Sequence, residues 1–196
     1  MRKSSVVLIL LLCLVAATNV FADVIVDSIN PSLTPDPCCT WYSHWIAWVY
    51  TPGLSYTLSD VETKWSSAGV SGNVGVAIYS GFSGGPTGLL GSSTMFAANN
   101  GSWSTANFSP ISITAGNTYY VVFSGIAGKG ANVTSVGPGS YTPFYYSFDN
   151  SVWGYYGSDY GIFQFSSPSS VPEPGSMVLL GTGLLGLAGV IRRRLG

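Results

Sequence analysis

Apolar positions in this chain come in short runs separated by turn residues, and no long stretch repeats at the helical period. Asn73 to Tyr79 (NVGVAIY) sets Val74, Val76 and Ile78 on one face, as a half-buried strand requires. Leu58 to Trp65 (LSDVETKW) alternates Leu58, Asp60, Glu62 and Lys64 against Ser59, Val61, Thr63 and Trp65, which predicts a strand with Val61 and Trp65 inward. Thr118 to Ser124 (TYYVVFS) is the clearest strand of all. Val24-Ile-Val26 precedes Asn30-Pro31 and Pro35-Asp-Pro37, which halt regular structure. Ser83 to Gly88 turns the chain before Leu89-Leu90, and Phe108, Ile111 and Ile113 lead into a turn at Ala115-Gly-Asn117. Phe144 to Phe148 and Gly161 to Phe165 close the series. Many short strands with regular turn signals predict an all-β fold, a jelly-roll-like antiparallel β-sandwich. One segment is ambiguous: Trp41, Trp45 and Trp48 in WYSHWIAWVY stand at helical spacing, yet Pro37, Pro52-Gly53 and the β-favouring Tyr, Trp and Val argue for a strand buried on both faces.

The two ends of the 196-residue chain follow other patterns. Basic Met1-Arg-Lys3, an apolar stretch from Val6 to Ala17 and a small-x-small site at Val20-Phe-Ala22 have the three-part layout of a secretory signal peptide over residues 1–22. Such a segment needs a secretion translocon and a signal peptidase as partners. Residues 23–167 form the β-sandwich domain, and 168–196 a C-terminal segment. Within that segment Gly175 to Ile191 carries no charge and would measure about 25 Å as a helix, enough for a single thin transmembrane span. Arg192, Arg193 and Arg194 would act as its stop-transfer cluster on the cytoplasmic side, leaving the domain outside. Val171, Pro172, Glu173 and Pro174 precede the span. The two prolines hold the backbone extended around one carboxylate, accessible to a processing enzyme.

Charge narrows the function classes. Between Asp23 and Val171 two lysines face seven carboxylates, a net of −5, so no face can hold nucleic-acid phosphates, and anionic polysaccharides are disfavoured as well. Export leaves Cys38 and Cys39 in an oxidising compartment, but neighbouring Cα atoms lie about 3.8 Å apart, short for a disulfide. A strained vicinal disulfide, two thiols and bridges to another chain all stay open. Two adjacent cysteines and one histidine make no zinc site, and no cofactor or metal is expected.

Catalysis finds little support. His44 is the single histidine, and no acidic residue stands near it in sequence to orient it, which favours a structural role. Asp60, Glu62, Asp149 and Asp159 could supply paired carboxylates, but Asp60 and Glu62 share the outward face of a strand, as ordinary solvation explains. Asp149, Asn150 and Asp159 offer oxygens without calcium-loop spacing. Asn100, Asn107 and Asn132 match the N-glycosylation pattern, which chance produces often in such a chain. Tyr141 to Phe165 is dense in aromatics, and Trp153, Tyr155, Tyr156 and Tyr160 flank turns there. Flat rings with polar edges suit a sugar, which makes these four the candidate ligand-binding residues of a carbohydrate-binding module.

The order VPEP, apolar span and arginine cluster at 171–196 resembles the PEP-CTERM sorting signal of Gram-negative bacteria. The resemblance implies an exosortase, a membrane-embedded cysteine protease, that recognises Pro-Glu-Pro and processes the protein. It also implies hosts that make exopolysaccharide and form biofilms. Tyr56-Thr-Leu-Ser-Asp-Val61, Val76-Ala-Ile-Tyr79, Gly84-Gly-Pro-Thr-Gly-Leu-Leu-Gly91 and Ile113 to Val122 are similar to the choice-of-anchor surface domains, implying a jelly-roll-like sandwich with no established activity. The resulting expectation is an exported, non-enzymatic protein, anchored transiently in the membrane and then placed at the cell surface or in the matrix.

Overall fold

The computed structural model describes residues 23–37, 39–134 and 138–168, together with Gly183. Residues Asp23–Pro168 form one compact unit. The expected signal peptide, the PEP segment, the arginine cluster and Cys38 therefore lie outside the described residues. Among the described residues no helix is long and apolar enough to cross a membrane.

The described residues form thirteen strands: β1 (Asp23–Ile29), β2 (Thr40–Trp41), β3 (Trp45–Tyr50), β4 (Tyr56–Lys64), β5 (Gly72–Phe82), β6 (Pro86–Ala97), β7 (Trp103–Ile113), β8 (Tyr119–Ser124), β9 (Lys129–Gly130), β10 (Val133–Thr134), β11 (Thr142–Ser147), β12 (Gly154–Gly161) and β13 (Phe163–Pro168). A four-stranded sheet has the order β1-β13-β4-β7, a seven-stranded sheet the order β10-β12-β11-β3-β8-β5-β6, and β2 pairs with β9. Every pairing is antiparallel. The orders β1-β13-β4-β7 and β3-β8-β5-β6 are the two interleaved four-strand sheets of a jelly roll. Strands β10 to β12 are inserted before β13 and widen the larger sheet beyond β3. The WYSHWIAWVY segment is extended, split into β2 and β3, and its helical spacing is not used.

The core lies between the sheets, and aromatic rings dominate it. Trp48 packs on Phe144 at 4.5 Å and edge-on to Phe163 at 5.5 Å, while Phe123 stacks on Phe163 at 6.0 Å and meets the edge of Trp65 at 5.7 Å. Such pairs add about 0.5–1.5 kcal/mol each beyond the area they bury. Gly161 sits where a Cβ would fall 2.6 Å from Phe163 and 3.1 Å from Trp48, so the seam tolerates no side chain there.

Two irregularities alter the simple alternation. Between Leu58 and Asp60 the β4–β7 register shifts, and the inward face passes from Leu58 to Val61. Leu58 is consequently a core residue at 1% exposure, although alternation predicts it outward. A bulge in β1 between Ile25 and Asp27 brings Asp27 opposite Phe165. The Tyr50 hydroxyl then donates to Asp27 Oδ2 at 2.7 Å and lies 2.8 Å from the Tyr56 hydroxyl, tying the two sheets together. Burial holds both tyrosine hydroxyls well above their usual titration range, so both stay protonated.

Asp60 departs from the outward, solvated position expected of it: it is buried at 4% exposure. Ser59 Oγ donates to its Oδ2 at 3.0 Å. Burial pushes the Asp60 carboxyl up; the Ser166 and Ser59 hydroxyls oppose this, and the neighbouring Asp23 carboxyl adds to it. A raised folded pKa stabilises fully below the unfolded value near about 4, and that stabilisation is lost as pH rises through the folded value. Calorimetry across this window is expected to show a Tm that declines with pH for the native chain. Asp60→Asn should flatten the decline and raise the Tm at neutral pH by a few degrees.

Candidate functional site

The outward face of the seven-stranded sheet carries a second group of rings. Alternation that points Val76, Ile78 and Val121 into the core sends Tyr79 and Tyr120 outward, and the two are register partners. The adjoining outward row runs Tyr145, Ala47, Val122 and Ala77 across β11, β3, β8 and β5. Phe82, at the end of β5, stacks on Tyr145 at 4.3 Å, tilts against Tyr120 at 5.0 Å and takes the edge of Trp153 at 5.8 Å. Tyr155 continues the patch beside Tyr145 at 5.4 Å. Ala47 and Val122 stay buried even on this face.

Two loops frame a groove of about 240 Å³ beside the rings. The β5–β6 hairpin supplies Tyr79, Ser83 and Thr87, and the β11–β12 loop supplies Asn150, Ser151 and Trp153. The hairpin turns at Gly84, whose φ of 67° suits glycine, and Ser83 N donates to Gly85 O at 2.8 Å. Gly85 abuts the indole: a Cβ there would lie 3.0 Å from Trp153 Cδ1. The Trp153 Nε1–H is buried without an acceptor among the described residues.

Asp149 organises the opposite loop. Its Oδ1 accepts from Ser151 N at 2.9 Å, Val152 N at 3.2 Å and Ser147 Oγ at 3.3 Å, while Oδ2 accepts from Ser151 Oγ at 2.7 Å. Ser147 Oγ in turn accepts from Asn150 N at 3.0 Å. Asn150 sits at φ 63°, a left-handed conformation asparagine tolerates. The Ser151 hydroxyl, then the amides of Ser151 and Val152, hold the Asp149 carboxyl well below the usual carboxylate range.

The four aromatic residues singled out from the sequence do not share one site. Trp153 walls the groove, and Tyr155, 60% exposed, lies on the same outward face. Tyr156, the next residue along β12, lies on the opposite face as strand alternation requires, stacking on Phe144 at 4.9 Å and meeting Trp41 at 5.9 Å; it is also the extra residue of a bulge opposite Phe144 and Tyr145. Tyr160 stacks on Tyr141 at 4.4 Å instead. Tyr79, Phe82, Tyr120 and Tyr145 are the members sequence reasoning missed. For Tyr79 and Tyr120 the signal was present, as aromatics on the non-core phase of strands read only for their inward residues.

The residues considered for catalysis and metal binding are dispersed. His44 is exposed in the bend before β3, outside the buried strand expected for it; its Nδ1 pairs with the Phe148 carbonyl and its ring meets Trp45 edge-on. Glu62 accepts from Thr105 Oγ1 at 2.8 Å. Burial raises the Asp159 carboxyl, and Asp36 adds to the shift. No group of three His, Cys, Asp or Glu gathers among the described residues. Cys39 is exposed and its backbone carbonyl accepts from Ala131 N at 3.0 Å. Asn132, in one glycosylation-like triplet, is 1% exposed and inaccessible to a transferase in the folded domain.

Because Asp149 has a depressed carboxyl pKa, the loop order it confers is complete above the unfolded value and is lost as pH falls through the folded one. Amide resonances of Ser151 and Val152 are expected to keep their native shifts at pH 3, where ordinary aspartates are already titrating. Asp149→Ala should lose those shifts at every pH.

No curated protein matches the chain. Residues 170–194 match the PEP-CTERM protein-sorting motif, a stretch that contains Val171 to Pro174 and the three arginines. The β-sandwich therefore carries a PEP-CTERM sorting motif that begins two residues after the end of its last strand.

Proposed function

We propose that this is an exported, non-catalytic surface or matrix protein, sent across the inner membrane by its N-terminal segment and handed to an exosortase at Val171 to Pro174. The single observation that carries the reading is the sorting motif at 170–194. The tail is a transient anchor: its apolar run holds the chain in the bilayer while the arginines stay cytoplasmic, and cleavage delivers the sandwich to the cell surface, where it associates with exopolysaccharide.

The domain fits such a role. It carries few charged residues, and its solubility rests on neutral polar groups. The outward rings and their groove supply a surface for contact with a polymer rather than for bond cleavage.

Replacing Pro172, Glu173 and Pro174 with alanine in the native host tests the sorting step. The variant should stay in the inner-membrane fraction, with most of the protein lost from the surface and medium. Unchanged distribution between fractions would contradict the assignment.

A further inference from the structure

We propose that the groove between the β5–β6 hairpin and the β11–β12 loop binds one uncharged pyranose unit of a polysaccharide, with Asn150, Ser83 and Thr87 as hydrogen-bonding partners and Tyr79 and Trp153 beside them. The proposal rests on the reading that the domain acts outside the inner membrane, among polysaccharides, and it names the ligand class of the groove described above.

Size gives the first argument. A groove of about 240 Å³ holds the volume share of about eight waters, which suits one six-membered sugar ring and excludes a folded partner. Lining chemistry gives the second. Neither a cation nor a carboxylate lines the groove, so a charged sugar would find no counter-ion. Asp149, the nearest acid in the loop, spends its oxygens on Ser151, Val152 and Ser147.

Hydrogen-bonding capacity gives the third. The Asn150 side-chain amide and the Ser83 and Thr87 hydroxyls bond to no other protein group among the described residues. An amide and two hydroxyls can each donate and accept, as sugar hydroxyls require. The exposed lining of the groove is mostly polar, which fits the hydroxyl groups of a pyranose.

Preorganisation completes the case. The Asp149 bonds fix the loop that presents Asn150 and Ser151, and Phe82 with Gly85 fixes the indole, so little ordering entropy remains to be lost on binding. Tyr155 lies outside the groove on the same face and can meet a neighbouring unit of the chain, whereas Tyr156 points to the other face and cannot.

The test is calorimetric titration of the full chain, purified in a detergent without a sugar headgroup. The probes are neutral gluco-, galacto- and manno-tetrasaccharides, with an oligouronide as the charged control. At least one neutral tetrasaccharide should bind saturably, with an affinity unchanged by added salt. Trp153→Ala should weaken it at least about tenfold, equal to about 1.4 kcal/mol. Asn150→Gly, which keeps the left-handed backbone, should weaken it about fivefold at unchanged Tm. Tyr156→Ala should bind as the native chain does.

Failure of all three neutral probes would overturn the proposal. So would native affinity in Asn150→Gly, which holds the test even if Trp153→Ala misfolds, or salt-sensitive preference for the oligouronide. Binding is read on purified chain and needs no processing, so a failed sorting assignment and a failed sugar site give different results.

Discussion

The stacking of Tyr50 on Phe165, rings 4.0 Å apart and 11° from parallel, is the contact on which the remainder of the sandwich leans. Tyr50 belongs to the larger sheet and Phe165 to the smaller, and the same Tyr50 hydroxyl holds Asp27 of β1 and touches Tyr56 of β4. One side chain thus closes the layer gap and pins an edge strand. It can do so because the β1 bulge delivers a carboxylate to meet its hydroxyl. The seam from Phe165 through Phe163 to Trp48 and Phe123 then fixes the spacing of the sheets, and with it the outward phase of every strand in the larger one.

That outward phase is where structure becomes function. Once Val76, Ile78 and Val121 are committed to the core, Tyr79 and Tyr120 must point away from it, and the inserted strands β11 and β12 bring Tyr145, Trp153 and Tyr155 alongside. The jelly roll supplies a rigid platform, and the insertion supplies the loop that faces the β5–β6 hairpin. No charged side chain among the described residues lines the groove, so the sugar contact proposed for this face depends on neutral donors and acceptors.

Much of the fold was legible because strand alternation is a local property. NVGVAIY lies in β5 with Val74, Val76 and Ile78 inward, TYYVVFS contains β8, and the turn at Ala115-Gly-Asn117 has Gly116 at φ 77°. What alternation could not show were the places where pairing partners change phase. Leu58 was misplaced because the β4–β7 register breaks just after it, an effect that depends on a strand some fifty residues away. Tyr156 was grouped with Tyr155 because both flank turns in sequence, although adjacent residues of one strand face opposite ways. The groove was half legible: Trp153 and the turn around Asn150 could be found in one stretch of sequence, but Tyr79, Ser83 and Thr87 come from another hairpin and meet them only through the sheet. The sorting motif, by contrast, is read by an enzyme as linear sequence, so it was complete before any fold was known.

The central claim is that the sandwich works detached from the segments that deliver it. The most direct measurement is the intact mass of the protein recovered from the surface or medium of its native host, with and without the exosortase. The account predicts a chain that begins at Asp23 and ends within Val171 to Pro174, and that loses this C-terminus when the protease is absent. A chain still ending at Gly196 in the wild-type host would contradict it, and would make the tail a permanent anchor.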